Sequence, residues 1–179
     1  REGLGPIVMV LDMSGSMMGT PIQTAWALFV ALGTQAARSG RKIAIIPFAD
    51  NAAEPSVANN PAQVLQVVNK QYNIGYGTNF QEGLRRAEEL LSCEKDNKRG
   101  FKNADVIFIT DGIDYIDRTW AARYVASKKA LGYRAYGIIV GSMKFPQEVR
   151  RVLDAITTLD GQGLAKLEWV EALGHQVIK

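Results

Sequence analysis

A chain of 179 residues with 47% hydrophobic and 22% charged side chains has a globular composition and the length of one domain. Its single cysteine excludes a disulfide framework and a cysteine-based zinc site, its single histidine (His175) leaves little for a histidine–metal cluster, and the lack of disulfides suits a reducing compartment. A net charge of +3 makes no strong electrostatic case for nucleic acid, and no stretch approaches the ~18 apolar residues of a membrane span.

The first apolar run, Pro6 to Leu11 (PIVMVL), ends at Asp12. Thr20-Pro21 then reads as a helix start, with Ala25, Leu28, Phe29 and Leu32 on one face and Gly40 as the stop. Lys42 to Phe48 (KIAIIPF) is the second run. Asp50 to Asn60 is loop-like, with a short edge strand near Val57, and Pro61 to Gln71 has Val64, Leu65 and Val68 at helical spacing. Asn79 with Glu82 forms a capping-box pattern ahead of the stripe Phe80, Leu84, Ala87 and Leu91. Ala104 to Thr110 (ADVIFIT) is the third run, ending at Asp111. Asp117 opens a helix with Trp120, Tyr124 and Leu131 on one side, and Arg134 to Gly141 is the fourth run. Pro146 to Ile156 reads as a helix through Val149, Val152, Leu153 and Ile156, and Lys166 to Val170 alternates like an edge strand. Continuous apolar runs are strands buried on both faces. Their alternation with helices defines an α/β fold with a mostly parallel sheet and right-handed crossovers.

In such sheets ligands bind at the carboxyl ends of the strands, near the point where strand order reverses. Those ends deliver Asp12-Met13-Ser14-Gly15-Ser16 and Thr110-Asp111-Gly112, while Gly75-Tyr76-Gly77-Thr78-Asn79 leads into a helix start. The side chains at Asp12, Ser14, Ser16, Thr78 and Asp111 offer only oxygen: two carboxylates and three hydroxyls. That set suits a hard cation such as Mg²⁺, which takes about six oxygens and keeps several waters. On a tight loop, residues 12, 14 and 16 point one way, and Gly15 is expected to let the backbone bend where a Cβ would obstruct it, with Gly77 doing the same before Thr78. Five side chains leave a position open to water or an outside oxygen.

The constellation Asp12-x-Ser14-x-Ser16, then Thr78, then Asp111-Gly112 resembles the metal-ion-dependent adhesion site (MIDAS) of von Willebrand factor type A (VWA) domains. The resemblance covers about Gly5 to Val170. It implies a doubly wound, Rossmann-like sheet with helices on both faces and one short antiparallel edge strand. It implies that Ser14 and Ser16 bind the ion directly, Thr78 directly or through water, and Asp12 and Asp111 directly or through water bridges. The ion would be Mg²⁺, with Mn²⁺ or Ca²⁺ as substitutes. A carboxylate of a partner protein would fill the open position, making the module non-enzymatic. The stretches GPIVMVLDMSGSM, GYGTNF and VIFITDGID are similar to cytoplasmic bacterial VWA proteins that work beside MoxR-type AAA+ ATPases. In those proteins the domain follows a helical region. Residues 1–179 are therefore expected to be one VWA domain, with its core at about 5–170, taken from a longer chain that begins before Arg1. Met17, Met18, Tyr76 and Tyr115 flank the loops, where they either contact a partner or pack on the domain, and Asp114 and Asp117 are expected to gather with Asp12 and Asp111 in an acidic patch.

Rival readings find less support. A phosphoesterase using Asp12 as nucleophile would want a second Asp where Ser14 stands, and no G-x-S-x-G elbow surrounds Ser14 or Ser16. His175 is far from Ser14 in the chain, and Cys93 has no basic neighbour at a telling spacing. No G-x-x-x-x-G-K-[ST] loop is present, so ATPase activity would belong to a partner. Arg85-Arg86, Lys128-Lys129 and Arg150-Arg151 fall on helices as solvated pairs. The alternative of a VWA subunit in a nucleic-acid-associated or chelatase-type complex rests on the family's range alone.

Overall fold

The four apolar runs form the four central strands of one mixed sheet. The computed structural model describes residues 5–68, 70–93, 100–112, 114–141 and 144–159. Its strands are β1 (Ile7–Asp12), β2 (Ile43–Phe48), β3 (Ser56–Ala58), β4 (Asp105–Thr110), β5 (Ala135–Val140) and β6 (Ala155–Leu159). Its helices are α1 (Thr20–Arg38), α2 (Pro61–Val68), α3 (Phe80–Ser92), α4 (Arg118–Leu131) and α5 (Gln147–Val152). The strand order is β3-β2-β1-β4-β5-β6, and only the β2–β3 pair is antiparallel. Register runs from Ile7 opposite Ile43 and Asp105 to Leu11 opposite Pro47 and Ile109.

The pleat divides β1 between two cores. Ile7, Met9 and Leu11 pack with Leu28, Phe29 and Leu32 of α1 and Val64 of α2. Val8 and Val10 pack with Phe80 and Leu84 of α3, Tyr124 of α4 and Val149 of α5. Helices therefore cover both faces, which is why β1 and β2 show no polar alternation and are buried throughout. Fully burying one such side chain is worth about 1.5–3 kcal/mol, so Val10→Ala would loosen the sheet where the loops diverge. The chain leaves β1 toward β2 on one side and returns to β4 on the other. The crevice between the ends of β1 and β4 is thus the switch point where an open sheet binds ligands.

Local chemistry explains the element boundaries. Asn79 caps α3 by accepting the Glu82 N–H at 3.3 Å, and Asp117 caps α4 by accepting the Trp120 N–H at 2.9 Å. Gly19, rather than Thr20, is the residue before the first turn of α1, with Pro21 inside that turn. Helix α2 spans Pro61–Val68 among the described residues, and Lys70 and Gln71, inside the expected Pro61 to Gln71 helix, are not helical. The largest departure is at Pro146 to Ile156, where the helix stops at Val152 and Ile156 lies in strand β6. The apolar spacing there fits a helix, but Ile156, Thr157 and Thr158 are β-branched. Asp154 also docks on the start of β5, donating its N–H to the Ala135 carbonyl at 2.7 Å and accepting the Ala135 N–H on its carboxylate at 2.7 Å. The expected strand at Lys166 to Val170, and His175, lie outside the described residues.

Candidate metal centre

Strand β1 ends on Asp12, whose buried carboxylate organises two loops. Oδ1 accepts the Ser14 N–H at 2.8 Å, turning the chain back over the strand end. The Ser14 carbonyl accepts the Met17 N–H at 2.9 Å, forming a single 3₁₀ turn over Gly15–Met17. The turn brings the Ser14 and Ser16 hydroxyl oxygens to 3.1 Å. Ser14 is buried and Ser16 exposed. On its other oxygen Asp12 accepts the Thr110 hydroxyl at 2.6 Å, and Thr110 Oγ1 accepts the Gly112 N–H at 3.1 Å. Asp111 is held between these contacts, and Gly112 takes the left-handed conformation (φ 97°) that the turn requires.

The third loop joins them through its backbone. Gly15 N–H donates to the Tyr76 carbonyl at 2.8 Å, and half-buried Thr78 follows two residues later. Asp114 accepts the Phe80 N–H at 2.8 Å, tying the loop after β4 to the first turn of α3. Beneath the loops Phe80 packs edge-on to Phe108 with ring centroids 5.0 Å apart, and Phe48 stacks on Phe108 at 5.5 Å. The structure thus brings the loops bearing Asp12, Ser14, Ser16, Thr78 and Asp111 to one edge of the sheet.

Charge at this edge is unbalanced. Burial pushes the Asp12 carboxyl above the ordinary aspartate range, the Thr110 and Ser14 hydrogen bonds pull it back, and the nearby Asp111 charge adds to the rise. Asp111 is only 8% exposed, and its Oδ1 is buried with no hydrogen-bond partner. Among the described residues, neither Asp12 nor Asp111 forms an ion pair with Lys or Arg. Nor do the described residues include a group of three or more His, Cys, Asp and Glu placed to hold a metal. Two buried carboxylates, one orphaned oxygen and adjacent hydroxyls fit a hard divalent cation and do not fit a soft one.

Several expectations change. A Cβ at Gly15 would sit 3.6 Å from the Tyr76 carbonyl oxygen, an ordinary contact, and Gly15 has no positive φ, so the bend does not depend on it. Gly77 serves space rather than bending, because a Cβ there would fall 2.0 Å from an Asp50 carboxylate oxygen and the carboxylate would have to move away. Met17 is core, whereas Met18 (54% exposed), Tyr76 (80%) and Tyr115 (81%) are displayed around the loops. Asp114 and Asp117 also accept the backbone N–H groups of Phe80 and Trp120 at the starts of α3 and α4, so they serve as caps while keeping their charge. Asp50 and Thr110, which sequence reasoning passed over as candidates, both hold site loops. For Asp50 the nearest signal is the pair Gly75 and Gly77, distant in sequence; for Thr110 it is its place one residue before Asp111.

A mostly parallel sheet with hydroxyl- and carboxylate-bearing loops at its switch point defines a class of Rossmann-like domain, and the comparisons agree. The family model described as von Willebrand factor type A domain matches residues 7–113. The chain belongs to the von Willebrand factor type A domain family. An uncharacterized protein of Methanocaldococcus jannaschii is 29% identical over 155 residues, 83% of this chain and 33% of the relative. The chain therefore spans about a third of that curated relative. The von Willebrand factor type A structure from Catenulispora acidiphila superposes with a TM-score of 0.73 at 22% identity, covering 97% of this chain and 42% of that one. Proximal thread matrix protein 1 from the mussel byssus, solved with a zinc-occupied MIDAS motif, gives a TM-score of 0.66 at 14% identity, covering 97% and 47%. Among the described residues no helix is long and apolar enough to cross a membrane.

Proposed function

We propose that this domain is a non-enzymatic recognition module that binds a divalent cation, Mg²⁺ in the cell, and through it a carboxylate of a partner protein. Ser14, Ser16 and Thr78 would supply hydroxyl ligands, and Asp12 and Asp111 carboxylates acting directly or through water. The observation that carries this reading is the buried, partnerless Asp111 Oδ1 beside the buried Asp12 carboxylate, with no Lys or Arg among the described residues to balance them. A buried carboxylate without partners is costly, and a cation removes that cost. Two carboxylates and three hydroxyls do not fill the six or so positions around such an ion, so an oxygen of an outside Asp or Glu can complete them. Exposed Met18, Tyr76 and Tyr115 would add apolar contacts around that carboxylate.

VWA domains are generally interaction modules, and a metal-occupied MIDAS in a structural neighbour supports the cation reading. The setting we infer is cytoplasmic, as an adaptor linking a MoxR-type AAA+ ATPase to its client, on the strength of the GPIVMVLDMSGSM, GYGTNF and VIFITDGID stretches. Ion and partner should each tighten the other's binding by the same factor. The test is affinity capture from lysate in Mg²⁺ and in chelator, using wild type and Asp111→Asn. The expected result is a partner recovered only by wild type with Mg²⁺. Equal recovery in chelator contradicts metal-bridged recognition.

A further inference from the structure

Asp50 lies just past the end of β2, outside the MIDAS-like set, yet it reaches the loop that carries Thr78. One of its oxygens, Oδ2, accepts two backbone N–H groups, from Tyr76 at 3.1 Å and from Gly77 at 3.0 Å. Hydrogen bonds to an ionised acceptor are roughly twice as strong as neutral ones. The Gly77 N–H and the Tyr76 carbonyl belong to one peptide group. That carbonyl accepts the Gly15 N–H at 2.8 Å, so a single peptide plane is held on its N–H side by Asp50 and on its carbonyl side by the Asp12–Ser16 loop. Thr78 is the next residue along. Close by, the Asn51 N–H donates to the Ile74 carbonyl at 3.2 Å, giving the same two loops a second tie.

The flanking glycines fit this arrangement. A Cβ at Gly75 would fall 2.1 Å from Asp50 Oδ2, and one at Gly77 would fall 2.0 Å from Oδ1. Gly75 also needs its positive φ of 85°, but Gly77 has no positive φ. The only demand for glycine at 77 is therefore the Asp50 carboxylate itself.

We infer that Asp50 is a positioning residue for the metal centre: its carboxylate, admitted by Gly75 and Gly77, fixes the Tyr76–Gly77 peptide and so sets where Thr78 meets Ser14 and Ser16. This rests on the proposed cation site, and it also makes Asp50 responsible for how Tyr76 is displayed. Asp50→Ala removes the carboxylate, and Gly77→Ala expels it from the loop while leaving it in the protein. Each should weaken Mg²⁺ binding measured by calorimetry about tenfold, the low end for residues that orient metal ligands. Each should also speed exchange of the Tyr76 and Gly77 amides in metal-free protein. The double variant should bind no more weakly than Asp50→Ala alone, since the clash at 77 vanishes with the carboxylate. Asp50→Asn, which keeps an acceptor oxygen, should recover most of the affinity. Unchanged Mg²⁺ affinity in Asp50→Ala, or losses that add in the double variant, overturns the assignment while leaving the metal reading intact. Wild-type protein that binds no Mg²⁺ defeats the metal reading and this assignment with it.

Discussion

The two edges of the sheet both bury charge and treat it in opposite ways. At the amino edge the protein supplies its own counter-charges. Lys128 Nζ donates to the Asp154 carboxylate and the Val152 carbonyl, each at 2.9 Å. Arg41 lies 3.6 Å and Arg134 3.8 Å from Asp105 carboxylate oxygens, and Arg41 also donates to the Gly5 carbonyl at 2.5 Å. Burial lowers the Arg41 pKa and raises that of Asp105, while their mutual attraction opposes both shifts. At the carboxyl edge Asp12 receives only an N–H and a hydroxyl, and Asp111 Oδ1 receives nothing. The amino edge is not fully satisfied either, since the two terminal Arg41 nitrogens are buried without a hydrogen bond, but each buried charge named there has an opposite charge beside it, whereas Asp12 and Asp111 have none among the described residues. That difference is what the proposed cation site would explain.

The contrast can be broken from either side. The largest stability change should come from the closed edge. Asp154→Ala leaves the buried Lys128 ammonium with the Val152 carbonyl but no counter-charge and removes the acceptor of the Ala135 N–H, so denaturant unfolding should show a loss of about 3 kcal/mol, equal with Mg²⁺ and with chelator. At the open edge, Mg²⁺ at 100 times its Kd should stabilise wild type by about 2.7 kcal/mol and Asp111→Asn hardly at all. In chelator Asp111→Asn should stay within about 1 kcal/mol of wild type, because it removes a charge that had no partner. Tyr76→Ala and Tyr115→Ala should each lower partner capture by about 1 kcal/mol, roughly fivefold, with Mg²⁺ affinity retained. Smallest of all, Arg85→Ala on solvent-facing α3 should cost under about 0.5 kcal/mol. Its bond to Glu82 depresses the Glu82 pKa, so this small support is present at neutral pH and fades as pH falls through that depressed value.

What could be read from sequence follows from range. Strand ends at Asp12 and Thr110 and the Asn79 and Asp117 caps depend on neighbours within a few residues, and the five oxygen-bearing positions stand beside those strand ends and the first cap. The short β3 was visible near Val57 because its flanks are turn-forming. The end of α5 was missed because Leu153 and Ile156 continue the helical spacing, and only pairing with β5 overrides it. Asp50 was missed for the same kind of reason. Its partners lie 26 and 27 residues away, and nothing in its neighbourhood marks it out from a loop aspartate. Gly77 was noticed without its cause, since the atom that excludes a Cβ belongs to that distant residue. The lack of a counter-charge for Asp111 is likewise a three-dimensional fact.

The central claim is that Asp12 and Asp111 wait for a cation. Calorimetric titration of Mg²⁺ into wild type and Asp111→Asn tests it most directly. A single site in wild type, weakened about a hundredfold or more by the loss of one ligand charge, is the expected result. Equal binding by the two proteins, or none by wild type, would contradict it.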